Sequence, residues 1–186
     1  MATILGLSGS LRRTSFNTAL LRAAVELMPE GSSLVIGSIE GVPLYDGDLE
    51  SDKGLPEAVV RLKDKIRACD GLLLVTPEYN NSIPGVFKNA IDWASRPSSD
   101  IKSVFGGRPV AITGASLGAF GTLLSQSAWL PVLRTLGMRL WPAQMLVPRA
   151  SEAFDDAGTL TDPRTEERLR KFLAGFVAFV ENGSAG

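Results

Sequence analysis

At 186 residues, 45% of them hydrophobic and 21% charged, the chain is long enough for one sizeable core and short for two, so one domain over residues 1–186 is expected. Lysine and arginine number 19 against 20 aspartate and glutamate, leaving no net positive field to hold a nucleic-acid backbone or an anionic membrane. Cys69 is the only cysteine and histidine is absent, which excludes an intramolecular disulfide, a zinc site of several cysteines and an imidazole base. The opening MATILGL lacks the features of a signal peptide, and no apolar run approaches membrane-spanning length. A cytoplasmic protein in a reducing compartment is expected, with the sequons at Asn80 and Asn182 as chance matches.

In chain order, Thr3–Leu7 reads as a short buried strand and Asn17–Met28 as a helix. A second strand at Leu34–Ile39 precedes a helix at Pro56–Ala68, where Val59, Leu62 and Ile66 recur at helical spacing and Lys63, Asp64, Lys65 and Arg67 fall on the wet face. Strand Gly71–Thr76 leads to helix Gly85–Ser95, and strand Pro109–Thr113 to helix Gly121–Leu136, in which Pro131 predicts a kink or break. A fifth strand is expected at about Arg139–Val147 and a last helix at Arg164–Val180, with a disordered tail after Glu181. Strands alternating with helices of this length predict an α/β three-layer sandwich, flavodoxin-like, with a five-stranded parallel sheet of order 2-1-3-4-5.

Three loops follow apolar strands and are rich in Gly, Ser, Asn and Pro: Gly9–Asn17, Thr76–Asn89 and Thr113–Thr122. In a parallel sheet all three meet at one edge and form one ligand site. The first carries the hydroxyls of Ser8, Ser10 and Ser15 and the amide of Asn17 ahead of a helix N-terminus, a place suited to a phosphate. It lacks both G-x-G-x-x-G and the ATP-type loop, so a mononucleotide phosphate fits better than a dinucleotide. Taken alone, the loop is equally an ordinary helix cap with solvated Arg12 and Arg13. In the second loop Pro77 and Pro84 stiffen the peptide groups around Glu78, Tyr79, Asn80, Asn81 and Ser82, presenting them to a planar polar ligand that Tyr79 can flank. In the third, Gly114, Gly118 and Gly121 allow close approach of a ligand to the backbone.

Gly114-Ala115-Ser116-Leu117-Gly118 also matches the nucleophile elbow of serine hydrolases. Without histidine the hydroxyl has no base, and that reading fails. Catalysis here needs chemistry with little proton transfer by the protein, and hydride transfer through a bound flavin meets that demand. Cys69, at the end of the second long helix and away from the three loops, reads as a buried structural thiol. Trp129, Leu130, Val132 and Leu133 form an apolar stretch around Pro131, part of which is expected to pack on another subunit.

The GSLRRTSFN loop, the TPEYN-x-S-x-PG-x-x-KNAIDW segment and PLYD at Pro43–Asp46 resemble the NAD(P)H-dependent FMN reductases, the flavodoxin-like group that includes quinone, chromate and azo-dye reductases. The resemblance implies noncovalent FMN, with Ser10, Arg12, Ser15, Phe16 and Asn17 at its phosphate, Pro77, Glu78, Tyr79 and Asn80 along the isoalloxazine, and Ser116 and Gly118 to Gly121 at the ring and ribityl. It further implies NADPH or NADH as co-substrate, a small-molecule electron acceptor and a homodimer or homotetramer. Catalysis would rest on the FMN, with no catalytic side chain and no metal. Ser15 and Asn17 are then expected to be replaceable without loss of the fold. Asn81 departs from a second tyrosine in several relatives, and SLGAFGT from a serine, a glycine and a pair of adjacent glycines. No residue for a 2′-phosphate can be chosen among Arg12, Arg13, Arg96 and Lys102. The alternative, an FMN-binding electron carrier without pyridine-nucleotide activity, is disfavoured by the net charge of −1, because such carriers are strongly acidic.

Overall fold

The computed structural model describes residues 1–183. Strand β1 (Thr3–Ser8) is followed by α1 (Phe16–Glu26), β2 (Ser33–Ile36), α2 (Gly47–Lys53), α3 (Glu57–Ala68), β3 (Gly71–Val75) and α4 (Gly85–Ala94). A 3-10 turn at Ser98–Asp100 runs into α5 (Ile101–Val104); then come β4 (Pro109–Ala115), α6 (Leu123–Thr135), β5 (Arg139–Leu140), β6 (Met145–Val147), α7 (Ala150–Ala153) and α8 (Pro163–Asn182). Every paired strand is parallel, in the order β2-β1-β3-β4-β5, with β6 also bonded to β4.

Helices cover both faces of the sheet, which is why its central strands are continuous apolar runs rather than alternating ones. On one face Leu20, Leu21, Leu173 and Phe176 pack with Ile4, Leu73 and Val75; on the other Leu62, Ile66, Phe87 and Trp129 pack with Leu5, Leu72, Leu74 and Ile112. The predicted strand order therefore holds. The fifth strand does not run unbroken: Trp141 N still donates to the Val110 carbonyl at 2.8 Å while its ring packs 4.8 Å from Phe172 of α8, and the ladder stops at Pro142, which has no N–H to donate.

Other departures have local causes. Helix α6 runs through Pro131 without a break, since Pro131 lies on the solvent side where water can serve the freed carbonyl. Trp129 is not a surface residue for a partner subunit but is fully buried, 5.1 Å from Phe87 in an edge-to-face contact, and Leu133 is buried with it. Lys63, expected on the wet face of its helix, is 1% exposed; its ammonium donates to Asp100 Oδ2 at 2.7 Å and to the Arg96 carbonyl. Asn182 closes α8 and Gly183 caps it, so only residues 184–186 of the expected disordered tail lie outside the described residues. Cys69 is buried where α3 ends, its thiol donating to the Ile66 carbonyl at 3.2 Å, and burial pushes its pKa up.

Candidate functional site

The register pairs Ser8 with Val75 and Val75 with Thr113, so the loops after β1, β3 and β4 leave the sheet at one edge. They enclose a cleft of about 210 Å³ lined by Ser10, Arg12, Ser15, Phe16, Asn17, Pro77, Glu78, Tyr79, Ala115, Ser116 and Leu117. Nine of the twelve residues named from the sequence line this cleft; Asn80, Gly118 and Gly121 do not. Ala115 and Leu117 were missed. The signal for Ala115 was the length of the fourth strand, which runs two residues beyond the predicted Thr113 and carries it to the rim.

In the first loop Ser15 caps α1, its hydroxyl accepting from Asn17 N at 3.2 Å and Thr18 N at 3.4 Å. Ser10 Oγ accepts from Arg12 N at 3.3 Å, and Ser8 Oγ lies 3.0 Å from Thr18 Oγ1. No described residue accepts from the N–H groups of Arg13, Thr14 or Phe16, and Arg12 and Arg13 are exposed and without an ion-pair partner. Phe16 with its unused N–H, the positive end of α1 and Arg12 border this cleft, a donor set that suits an anion, while Arg13 and Thr14 line the neighbouring groove with Asp155 and Asp156.

Asn17 does different work from that expected of it. Its Nδ2 donates to the Ala115 carbonyl and its Oδ1 accepts from Ala115 N, both at 2.9 Å, so the amide pairs with the backbone at the end of β4 as another strand would. With Ser15 spent on the cap and Asn17 on this clasp, neither can be replaced without cost to the fold. Gly9 lets the first loop touch the second, since a Cβ there would lie 2.3 Å from Phe87 and 2.9 Å from Pro77.

The second loop closes on itself through Tyr79 and Ser82, which exchange two backbone hydrogen bonds of 3.1 Å. Between them Asn80 and Asn81 have φ of 49° and 63°, a two-residue turn in which asparagine is tolerated and tyrosine would be strained. That accounts for Asn81 and places Asn80 at the turn rather than in the cleft. Glu78 points to the first turn of α6, its Oε2 accepting from Leu124 N at 2.8 Å and Ser125 N at 3.1 Å. Tyr79 remains 45% exposed at the mouth.

In the third loop Ser116 donates to the Gly121 carbonyl at 2.6 Å, so its hydroxyl is tied inside the loop and is no nucleophile. Of the three glycines read as approaching a ligand, Gly114 is instead hemmed by protein, where a Cβ would meet the Thr76 carbonyl at 2.1 Å, and Gly121 abuts Leu146. Only around Gly118 is the space open, with nothing nearer than Ser116 Oγ at 3.8 Å. Beside the cleft's loops, the Pro43 carbonyl accepts from Asn89 Nδ2 at 2.7 Å and Trp93 Nε1 at 2.9 Å, which staples the PLYD segment to α4. Tyr45 donates to Glu50 at 2.9 Å, and Arg96 donates to the same oxygen at 2.8 Å. The Arg96 hydrogen bond holds the Glu50 carboxyl below its ordinary range, and the bond to Glu50 raises the Tyr45 phenol.

A doubly wound parallel sheet with an anion-ready loop at its carboxyl edge and a stiff loop beside it defines a mononucleotide-binding protein of the flavodoxin-like class. The sequence model of the family described as NADPH-dependent FMN reductase matches residues 2–152, and the chain belongs to that family. It is 43% identical over 178 residues to an NAD(P)H-dependent FMN reductase of Pseudomonas aeruginosa, covering 95% of this chain and 94% of the relative. It is 42% identical over 175 residues to a 2-hydroxy-1,4-benzoquinone reductase of a Burkholderia species, covering 94% and 93%. Among solved structures, the flavoenzyme NAD(P)H:acceptor oxidoreductase FerB from Paracoccus denitrificans superposes with a TM-score of 0.84 at 34% identity, over 98% of this chain and 99% of that one.

Proposed function

We propose that the protein is an NAD(P)H-dependent FMN reductase that passes two electrons from a reduced pyridine nucleotide to a quinone or similar small acceptor. The observation that carries this is the cleft, where spare N–H groups at the start of α1 and Arg12 face the rigid Pro77–Tyr79 segment across a short gap. The relatives named as FMN and quinone reductases, matched over nearly their whole length, support it. Bound FMN would supply the hydride-accepting and hydride-donating ring. The N–H groups of the first loop, Ser10 Oγ and Arg12 would hold its phosphate, the Pro77–Tyr79 backbone and the Tyr79 ring would line the isoalloxazine, and Ser116 to Gly118 would flank the other side.

The cleft, of about 210 Å³, has the 45% exposed Tyr79 at its mouth and the exposed Leu117 on its rim, so it is open to solvent on that side. Nicotinamide and acceptor can then take turns on that face. The protein's own part is binding, orientation and exposure of the ring. Arg96 is occupied by Glu50, and Lys102 lies on α5 ahead of β4, at the opposite edge, which, with Arg12 on the FMN phosphate, leaves Arg13 for a 2′-phosphate. Chromate and azo compounds fall within the same acceptor range. No helix among the described residues is long and apolar enough to cross a membrane, and the sequence supports a cytoplasmic site of action. A homodimer or homotetramer fits the exposure of Leu44 on the loop after β2 and of Leu117 and Phe120 on the loop after β4, both at the carboxyl edge. Light scattering at micromolar concentration tests assembly, and a species near 19.8 kDa would overturn it.

The experiment for the activity is anaerobic spectroscopy of the FMN-loaded protein. NADPH or NADH should bleach the oxidised flavin band, and 1,4-benzoquinone should restore it without oxygen. Failure to take up FMN, or a bound flavin that neither nucleotide reduces, would sink the proposal.

A further inference from the structure

Helix α6 begins without a cap of its own, because the hydroxyl of its N-cap residue Thr122 accepts from Gln126 Nε2 at 3.1 Å and from no backbone N–H of the first turn. The two amides that a cap would satisfy, Leu124 N and Ser125 N, both donate to Glu78 of the second loop. Directly beneath, Thr76 Oγ1 receives Trp129 Nε1 at 3.2 Å, lies 2.8 Å from Ser125 Oγ and lies 3.0 Å from the Pro77 carbonyl. A hydroxyl has one proton and two lone pairs, so a single arrangement satisfies all three contacts. Trp129 and Ser125 donate to Thr76, and Thr76 donates to Pro77. The group is buried and saturated.

From this geometry we infer that Glu78 and Thr76 are positioning residues that clamp the second loop to α6 and so fix its place beside the third loop, where Pro77–Tyr79 forms one wall of the cleft. Pro77 is held at its carbonyl by Thr76 and Glu78 at its carboxylate by α6, which leaves the backbone between them no freedom to turn. Both peptide N–H groups donate to Oε2, next to the positive end of the helix, so this oxygen is anchored to α6 and fixes where Glu78 sits at the cleft. The reading rests on the proposal that FMN binds in this cleft, and its test separates the two.

Four variants report on the clamp: Glu78→Ala and Thr76→Val break it, while Glu78→Gln and Thr76→Ser keep an acceptor or hydroxyl in place. Hydrogen exchange of Leu124 and Ser125 amides is read in apo-protein, and FMN dissociation constants and the flavin midpoint potential are read after loading. Glu78→Ala should accelerate exchange at those two amides and weaken FMN about tenfold, the size of a lost helix cap. Thr76→Val should weaken FMN similarly, with Gln and Ser restoring wild-type values within about threefold at each site and the potential moving only in the broken pair. Unchanged exchange in Glu78→Ala would overturn the clamp itself. Accelerated exchange with unchanged FMN affinity and potential would overturn its positioning role. A wild-type protein that binds no FMN while its exchange responds as described would overturn the cofactor reading and leave the clamp standing.

Discussion

The two edges of the sheet are wired in opposite ways. At the amino edge the polar groups are consumed by one another: Asp70 accepts from Thr3 N at 2.8 Å, Arg108 Nε donates to the Val104 carbonyl at 2.9 Å and a second Arg108 nitrogen to the Cys69 carbonyl, and Lys63 is locked onto Asp100. At the carboxyl edge the clasps are mostly neutral, and N–H groups, two arginines and the Tyr79 ring are left spare. Donors that the fold has not used are available to a ligand; donors it has used hold the fold together. The difference predicts that substitutions at one edge cost stability, and those at the other cost affinity.

The strongest contrast comes from Lys63→Ala. Removing a buried ammonium opens a cavity and leaves the Arg96 carbonyl unpaired, while Asp100, one-third exposed, keeps Arg67 at 2.8 Å, so urea unfolding at neutral pH should show a loss of about 1 to 3 kcal/mol. FMN affinity per folded molecule should stay within twofold. The Lys63 hydrogen bond lowers the Asp100 pKa from 3.8, so the pair's stabilisation is complete above that value and fades as pH falls through the depressed one. The gap between wild type and variant should therefore narrow below pH 3.8. A gap independent of pH would mean the ammonium acts by packing alone.

At the other edge Arg12→Ala should do the reverse. One charge-assisted bond to a phosphate is worth about 1.5 to 3 kcal/mol, or ten- to hundredfold in FMN dissociation constant. The Arg12 guanidinium has no ion-pair partner among the described residues, and its backbone N–H bond to Ser10 survives the substitution, so the unfolding midpoint should stay where it was. Fluorescence titration of apo-protein with FMN checks the first half and urea unfolding the second. A fall in stability with unchanged affinity would reverse the comparison.

Strand order, the three loops and most of the cleft were legible in the sequence because they depend on apolar runs and on Gly, Pro and Asn, whose backbone preferences act locally. What was not legible depends on partners distant in sequence. Nothing in the sequence shows that Asn17, besides lining the cleft, clasps Ala115, or that Glu78, besides lining it, caps the start of α6. Lys63 was assigned to solvent because helical spacing shows which side a residue takes and not that Asp100 waits there. Trp129 was misread for the same reason, since Phe87 and Thr76 enclose it from other segments. The broken fifth strand and α2 were readable after all: Pro142 and the cap Asp46 both stand in the sequence.

Ser116→Ala gives a smaller effect and closes the question raised by G-x-S-x-G. It removes one hydrogen bond to Gly121, at a cost of about 1 kcal/mol, and quinone reductase turnover should persist. Loss of nearly all turnover in folded, FMN-loaded variant would restore a nucleophilic role.

The smallest effect is expected at Cys69, which lies at the wired edge and tests the comparison from the side of redox chemistry. Its thiol donates to the Ile66 carbonyl, is buried, and has its pKa raised by that burial, so little thiolate forms near neutral pH and oxidants meet a poor nucleophile. Cys69→Ala removes a sulfur and a weak hydrogen bond from a site packed by Ile66 and Leu72, for which a loss of about 1 kcal/mol or less in urea unfolding is expected. Steady-state turnover with NADPH and a quinone should match wild type within twofold, because the thiol lies across the sheet from the cleft and carries no electrons. A large drop in turnover in protein that retains its FMN and its unfolding midpoint would show that the amino edge contributes to chemistry and not only to the fold.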